Sequence, residues 1–418
     1  MKGNDTVFVL ASVLKPAKDV RMYEKIGKSL IKKYENATFH FVGQARNNDT
    51  ENIQNPKNIH FYEIFNFNRI ALKRVFTFFT FLIFLLKIKP TILIVGTFEL
   101  LLPAVFYKLF SLVFLRKKVK IIYDIQENYA ANIRYTKVFL PFLREIIAIY
   151  VYLVERITCF FIDFFFLAEN CYEQELDFIG ESKQKYEILP NFILREKEMK
   201  LLHEGRGKPS PYNSNTKQHL CNLLFLGTIS QEYGLQKMLT YFDYITKKQQ
   251  EKQPKNIIKL TILGHCPLET DFLAIKKLSK TNHLIEAQIS QKPVPYIQIR
   301  EKMKIMSQAE NIFVVMPYVT NESYEKRIPT KFYECLAYDL PMIIQKNTYW
   351  EVFFEKMQKL IPMHKINVFF IDFDNNRTFF ERKILTKNHH QNTQNSYLIQ
   401  NLPIFWDICE DKLNKIDF

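Results

Sequence analysis

Short apolar runs bounded by polar residues recur along the chain, at Val7–Leu10, Thr38–Val42, Ile92–Val95, Lys120–Tyr123 and Phe164–Leu167. They predict buried strands, and intervening stretches with helical spacing, such as Met22–Lys33, predict the helices between them. A polar segment from Arg195 to His219, with Gly205, Gly207, Pro209 and Pro211, reads as an exposed linker. The rhythm then restarts. Leu223–Leu226, Lys259–Leu263, Ile312–Met316 and Leu340–Ile344 predict strands, with helices at Leu235–Lys247 and Lys331–Tyr338. The expected organisation is therefore an α/β domain at 1–195, a linker at 196–219 and a second α/β domain at 220–385. Residues 386–418 form a tail and an apolar, helix-like end with Trp406 that can pack back on either domain, the N-terminal one foremost.

Two features interrupt this pattern. Val75–Leu86 is a run of 12 almost wholly apolar residues between Lys73-Arg74 and Lys87, whereas a membrane-spanning helix needs about 20. Lys73, Thr77, Thr80 and Lys87 make a narrow polar stripe on it, which suits either a helix buried in protein or one lying in a bilayer surface. Between Asn66 and Lys120 there are ten Lys or Arg and one acid, Glu99, so this segment holds +9 of the net +15. A second apolar region, Val138–Ala168, is broken by Arg144-Glu145, Glu155-Arg156 and Asp163. It reads as one or two packed helices leading into a strand, with charges that argue against insertion into lipid.

Composition narrows the function classes. Hydrophobic residues make up 47% and charged residues 24% of 418, which excludes disorder as the main state. The excess of 58 basic over 43 acidic residues favours an anionic partner: nucleic acid, an anionic membrane face or a phosphorylated small molecule. Nucleic acid ranks last, because the Phe-rich segment is helix-like rather than a sheet-borne stacking platform. The six cysteines form no C-x-x-C and lie mostly among apolar neighbours, so no zinc site or disulfide scaffold is signalled and a reducing, cytoplasmic compartment is expected. The opening MKGNDTVFVLASVLKP has too short an apolar run for a signal peptide and reads as a first buried strand.

No G-x-G-x-x-G follows Val7–Leu10 and no G-x-x-x-x-G-K-[ST] occurs, so hydride transfer and ATP hydrolysis lose their main sequence support. The most informative run is Arg327–Ile344, RIPTKFYECLAYDLPMII. Pro329 and Thr330 can open a helix whose unpaired N–H groups attract phosphate, and Arg327 and Lys331 add cations. Glu334, one turn in, is placed to accept hydrogen bonds from the vicinal hydroxyls of a ribose. Alternatively, Lys331 and Glu334 are an ordinary i, i+3 pair on a capped surface helix. Upstream, Phe225–Met238, FLGTISQEYGLQKM, puts Gly227 and Thr228 at a strand end and Gly234 at a helix start, and Gly264 closes the strand ILGH. These glycines either let backbone approach a diphosphate or simply make tight turns.

FLGTISQEYGL, ILGH and PTKFYECLAYDLPMII resemble the donor-binding domain of GT-B glycosyltransferases, most similar to glycosyltransferase family 4. KDVRMYEKIGKSL (Lys18–Leu30), IIYDIQENY (Ile121–Tyr129) and AENCYEQEL with ILPNFI (Ala168–Ile193) resemble, in order, the family's N-terminal segments. The resemblance covers about Val7–Ile344. It implies an α/β architecture of two Rossmann-like domains facing a central cleft, with the acceptor bound by the first and the nucleotide sugar by the second. Carried over, Glu334 binds ribose, Lys331, Pro329 and Thr330 meet the diphosphate, and Gly227 lines the phosphate loop. The family's Glu-X7-Glu places its first carboxylate where Lys326 stands here, and the usual phosphate cations fall near Thr228 and Tyr233. Lys331, Lys326 or Arg327 would then supply that charge. In the first domain Gln126 stands where relatives carry His and cannot act as a general base. Asp124 and Glu127 remain as candidate catalytic carboxylates, or as capping groups. Asp19, Arg21 and Gln126 are candidate acceptor contacts, with a local Asp19–Arg21 ion pair as the alternative.

The resulting expectation is a glycosyltransferase that moves a sugar from a nucleoside-diphosphate sugar to a glycan or lipid-linked acceptor in surface polysaccharide or glycoconjugate synthesis. Retention is implied by the family resemblance, and no metal or other cofactor is expected. The expected location is cytoplasmic, peripheral on the inner membrane face where the basic, Phe-rich surface meets anionic lipid. A UDP-sugar 2-epimerase on the same fold, or a non-catalytic scaffold of a polysaccharide-assembly complex, are the alternatives.

Overall fold

The computed structural model describes residues 6–44, 56–66, 74, 76–135, 140–181, 185–195, 219–251, 256–294, 296–307, 311–319, 321, 324–374 and 402–418. The polar linker expected at 196–219 falls, apart from its final residue, outside the described residues, as do Lys73 and the polar stretch that follows Asp374. The chain divides into two compact units, Met1–Leu194 with Phe405–Phe418, and Arg195–Ile404.

In the first unit β1 (Val7–Pro16) runs into a wide helical turn, Val20–Gly27, that continues as α1 (Lys28–Lys33). There follow β2 (Thr38–Gln44), β3 (Ile59–Phe65), α2 (Thr77–Ile88), β4 (Ile92–Val95), α3 (Leu101–Phe114) and β5 (Lys120–Ile125). Then come α4 (Tyr129–Tyr135), α5 (Pro141–Thr158), β6 (Phe164–Leu167), the short α6 (Tyr172–Glu175) and α7 (Asp177–Glu181), and β7 (Lys185–Ile188). All seven strands are parallel, in the order β3-β2-β1-β4-β5-β6-β7. Because strand side chains alternate in direction, Val9, Ala11 and Val13 pack on one face with α2, α3 and α5, while Phe8 and Leu10 pack on the other with α1.

The C-terminal helix (Asp407–Lys415) joins this second face. Its Trp406 is buried and donates from Nε1 to Ser29 Oγ at 3.1 Å, and Lys412 reaches Glu187 at 2.7 Å.

The second unit repeats the scheme. It contains β8 (His219–Thr228), α8 (Leu235–Glu251), β9 (Asn256–His265), α9 (Glu269–Thr281), β10 (Ile285–Ser290) and α10 (Tyr296–Ser307). It continues with β11 (Ile312–Met316), α11 (Thr330–Ala337), β12 (Met342–Gln345), α12 (Thr348–Leu360) and β13 (Val368–Ile371). Its strands are parallel too, in the order β10-β9-β8-β11-β12-β13. In each sheet the winding reverses beside the first strand, between β1 and β4 and between β8 and β11. Loops at the carboxyl ends of those strands splay apart there and leave room for a ligand.

Two helices of the first unit carry apolar residues on their outer sides. On α2 the polar stripe is divided: Thr77 is buried with Phe81, Phe84 and Leu85, at helical spacing, while Thr80 and Lys87 are exposed together with Phe76, Phe79 and Ile83. The packed helix leading into a strand, expected within Val138–Ala168, is α5 followed by β6. Glu155 points inward on α5, and Phe142, Ile146, Ile149, Leu153 and Ile157 are exposed. No helix among the described residues is long and apolar enough to cross a membrane.

Glu155 is held under α5 by the Tyr123 hydroxyl, which donates to Oε1 at 2.6 Å. Burial pushes its carboxyl up to about 7. A carboxyl whose folded pKa lies above its unfolded value stabilises the fold most at low pH and loses that contribution as pH rises through about 7. Thermal unfolding from pH 5 to 8.5 is expected to show the wild type losing roughly 3 kcal/mol relative to Glu155→Gln over this window. Parallel pH profiles for the two proteins would contradict the assignment.

Candidate functional site

In the second unit the loops at the winding reversal carry the most unusual local geometry. Gly227 and Gly264 are register partners at the carboxyl ends of β8 and β9, with φ of 101° and 141°. A Cβ on Gly264 would lie 2.9 Å from the Gly227 carbonyl carbon, and one on Gly227 would lie 2.6 Å from Nζ of Lys331. The two glycines therefore present bare backbone, and the Lys331 side chain lies across it.

Lys331 comes from the first turn of α11. Its ammonium is 5.6 Å from the ring centre of Tyr233, in the β8–α8 loop, and 5.7 Å from that of Tyr318, just after β11. The two rings meet edge to face at 5.8 Å. Burial lowers Lys331 to about 8, although the Glu334 carboxylate favours its charged form. Burial also raises the Tyr318 hydroxyl well above its ordinary value, so it stays a neutral hydrogen-bonding group.

Glu334 stands one turn further along α11 and is buried. The helix opens directly after Pro329, which occupies the N-cap position and has no capping side chain, with Thr330 as the first helical residue. First-turn N–H groups and the positive end of the helix dipole lie beside Lys331.

The approach to this helix is pinned from below. Trp350 Nε1 donates to the Arg327 carbonyl at 2.7 Å, and Asn347 Nδ2 donates to that of Glu325 at 3.0 Å. Arg327 is nearly buried, its guanidinium 5.6 Å over the Tyr324 ring, whereas Lys326 is exposed. Thr228, beside Gly227, is half-buried and pairs in register with His265. The structure thus brings together Gly227, Thr228, Gly264, Lys331 and Glu334. Tyr233, Tyr318 and Trp350 complete the arrangement, and spacing did not single them out.

The first unit has a different centre. Asp124, at the end of β5, is fully buried, and Arg21 binds it in a two-point contact: Nη2 to Oδ1 at 2.6 Å and Nε to Oδ2 at 2.8 Å. Arg21 also donates to the Leu189 carbonyl at 2.9 Å and to Asn191 Oδ1 at 3.0 Å. Burial works against the Arg21 charge, but Asp124 more than offsets it and the pKa is raised. Gln126 Nε2 donates to Asp124 Oδ2 at 3.0 Å.

The local Asp19–Arg21 ion pair is therefore corrected. Asp19 instead caps the following turn, accepting from the backbone N–H groups of Arg21 and Met22 at 3.0 and 3.2 Å. Glu127 is half-buried on the loop beyond β5 and accepts from Asn132 Nδ2 at 2.8 Å. Both oxygens of Asp124 are engaged. Among the described residues no three or more His, Cys, Asp or Glu side chains are grouped so as to hold a metal ion.

No protein-family model matches the chain, and no curated protein matches its sequence. Solved structures do match its fold over nearly the full length. Sucrose-phosphate synthase from Thermosynechococcus elongatus superposes with a TM-score of 0.62 at 11% identity, covering 98% of each chain. The catalytic domain of starch synthase IV from Arabidopsis thaliana, bound to ADP and acarbose, gives 0.57 at 11% identity, again over 98% of each. The apo form of the lipopolysaccharide outer core galactosyltransferase WaaB gives 0.54 at 14% identity, over 98% of this chain and 97% of its own. The fold is GT-B. At such identities the likeness establishes architecture, while residue roles rest on the geometry above.

Removing one partner of the Arg21–Asp124 pair strands the other charge in the interior. Arg21→Met or Asp124→Asn alone is expected to cost about 3–5 kcal/mol in urea unfolding, and the double variant less than the sum of the two. Additive losses would show the two side chains to be uncoupled.

Proposed function

We propose that the chain is a glycosyltransferase whose second unit binds a nucleoside-diphosphate sugar at the α11 helix start. The observation that carries this reading is the Lys331 ammonium lying over the bare backbone of Gly227, with Glu334 one turn away. A diphosphate there meets a cation and helix N–H groups, and a ribose meets a carboxylate with two acceptor oxygens. The charge that builds on the leaving diphosphate is stabilised by the same groups, held in place before the reaction. In this reading no metal is needed, and the anomeric configuration is retained.

The acceptor is a glycan or lipid-linked sugar recognised by the strand-end loops of the first unit, with Asp19 and Gln126 among its contacts. There Glu127 is the carboxylate available for proton transfer, and Asp124 with Arg21 holds the loop in place. Two neighbours support the choice of substrates: the starch synthase is bound to ADP and acarbose, and WaaB is a galactosyltransferase of the lipopolysaccharide outer core. The protein would accordingly serve surface polysaccharide or glycoconjugate synthesis.

A non-catalytic scaffold is the second reading. It is favoured by the engagement of both Asp124 oxygens, by Gln126 and by the exposed Lys326 where a carboxylate is expected.

Calorimetry against a panel of nucleotide sugars tests the donor site. Lys331→Met and Glu334→Ala are each expected to weaken binding about 10- to 100-fold, the worth of a charged hydrogen bond. Because the Lys331 ammonium titrates near 8, affinity for the diphosphate should hold below that pH and fall as pH rises through it. Lys331→Met should be insensitive over the same range. Failure of every nucleotide sugar to bind would remove the donor reading, and binding without turnover on glycan or lipid-linked acceptors would leave the scaffold.

A further inference from the structure

The first unit carries an outer surface that its proposed chemistry does not use. In the layer formed by α2, α3 and α5, the inward sides pack toward the sheet while the outward sides are largely apolar, with Thr80, Lys87 and Glu145, which is paired with Arg134, among their exposed polar positions. On α3 the outward row is Phe106, Leu109, Phe110 and Val113, at i, i+3, i+4 and i+7, and it ends in Phe114, 71% exposed. On α5 a second row runs through Ile146, Ile149, Leu153 and Ile157 to Phe160, 75% exposed. Phe76, Phe79 and Ile83 extend the surface along α2.

The three helices are neighbours in order, α2 against α3 and α3 against α5, and the Phe78 and Phe106 rings meet at 5.3 Å. Taking roughly 100 Å² for each of these exposed side chains, the surface reaches about 1,300 Å², beyond the largest apolar patch of an ordinary monomer. In the second unit, by contrast, exposed apolar residues such as Leu268, Ile305 and Met363 lie far apart in sequence on separate elements.

Charge identifies what covers it. Directly after Phe114 come Arg116, Lys117, Lys118 and Lys120, all exposed, and there is no acid between Glu99 and Asp124. A second copy of the chain would bring two such cation clusters together, whereas an anionic bilayer accepts the cations at its headgroups and the rings at its acyl boundary.

We infer that the outward face of α2, α3 and α5 is a docking surface for an anionic lipid bilayer. The inference stands independently of the donor site, which lies in the other unit.

Flotation of the full-length protein with vesicles of phosphatidylcholine and phosphatidylglycerol, against phosphatidylcholine alone, tests it. Wild type should float only with the anionic vesicles. Lys117→Gln, Lys118→Gln and Lys120→Gln combined should lower vesicle affinity roughly a hundredfold. Phe110→Ser, Phe114→Ser, Ile149→Ser and Leu153→Ser combined should abolish flotation even at low salt, with the melting temperature and nucleotide-sugar binding unchanged.

Because both native tryptophans, Trp350 and Trp406, are buried, Phe114→Trp supplies a reporter that does not depend on the multiple variant folding. Its emission should shift to the blue on anionic vesicles. Unchanged flotation of the folded serine variant, or no shift for Phe114→Trp, would overturn the inference. So would a stable dimer that the serine substitutions dissociate, since the occupant would then be a second copy.

Discussion

Taking an ammonium out of water costs free energy, and Lys331 bears that cost at one particular place, above two glycines that offer no side chains of their own. Two tyrosine rings and a nearby carboxylate keep it charged at neutral pH, but only narrowly. Everything proposed for the second unit depends on this arrangement. The Gly227–Gly264 register makes the gap, the pinned approach through Arg327 and Trp350 fixes where α11 begins, and the winding reversal keeps neighbouring loops clear of it. A group so weakly satisfied by the protein is one that an anion can stabilise further.

Arg21, a buried cation of the first unit, is treated in the opposite way. Arg21 is matched by a full two-point contact with Asp124 and by two further acceptors, so little of its charge is left for a ligand. The planar, five-donor guanidinium suits that structural use, and the flexible, single-point ammonium of Lys331 suits binding. The two units thus share a strand order but give these two cations different work.

Much of the sheet core was legible from the pattern of apolar residues. Ile92–Val95, Phe164–Leu167 and Ile312–Met316 coincide with β4, β6 and β11, all interior strands covered on both faces. The strands that pattern missed are β3, β7, β10 and β13, the four sheet edges, where partial exposure interrupts the apolar run. In the site, Lys331 and Glu334 could be read because they lie one turn apart in a single run, and Gly227 and Gly264 because each closes a predicted strand, but not the approach of Lys331 to Gly227 across more than a hundred residues. The Arg21–Asp124 pair could not, since its partners are 103 residues apart and Asp19 offered a nearer match. On α5 the inward turn of Glu155 to a tyrosine was not legible, since spacing alone does not say which side of a helix faces the sheet.

The allocation of Phe405–Phe418 to the first unit has a consequence for biosynthesis. The second unit is in effect an insertion of 210 residues, Arg195–Ile404, between the first unit's sheet and the helix that seals it. At ordinary translation speeds this separates the two by roughly 10–40 s. Throughout that interval the nascent first unit has no Trp406 to cover Ser29, and the surface that receives it stays open to chaperones.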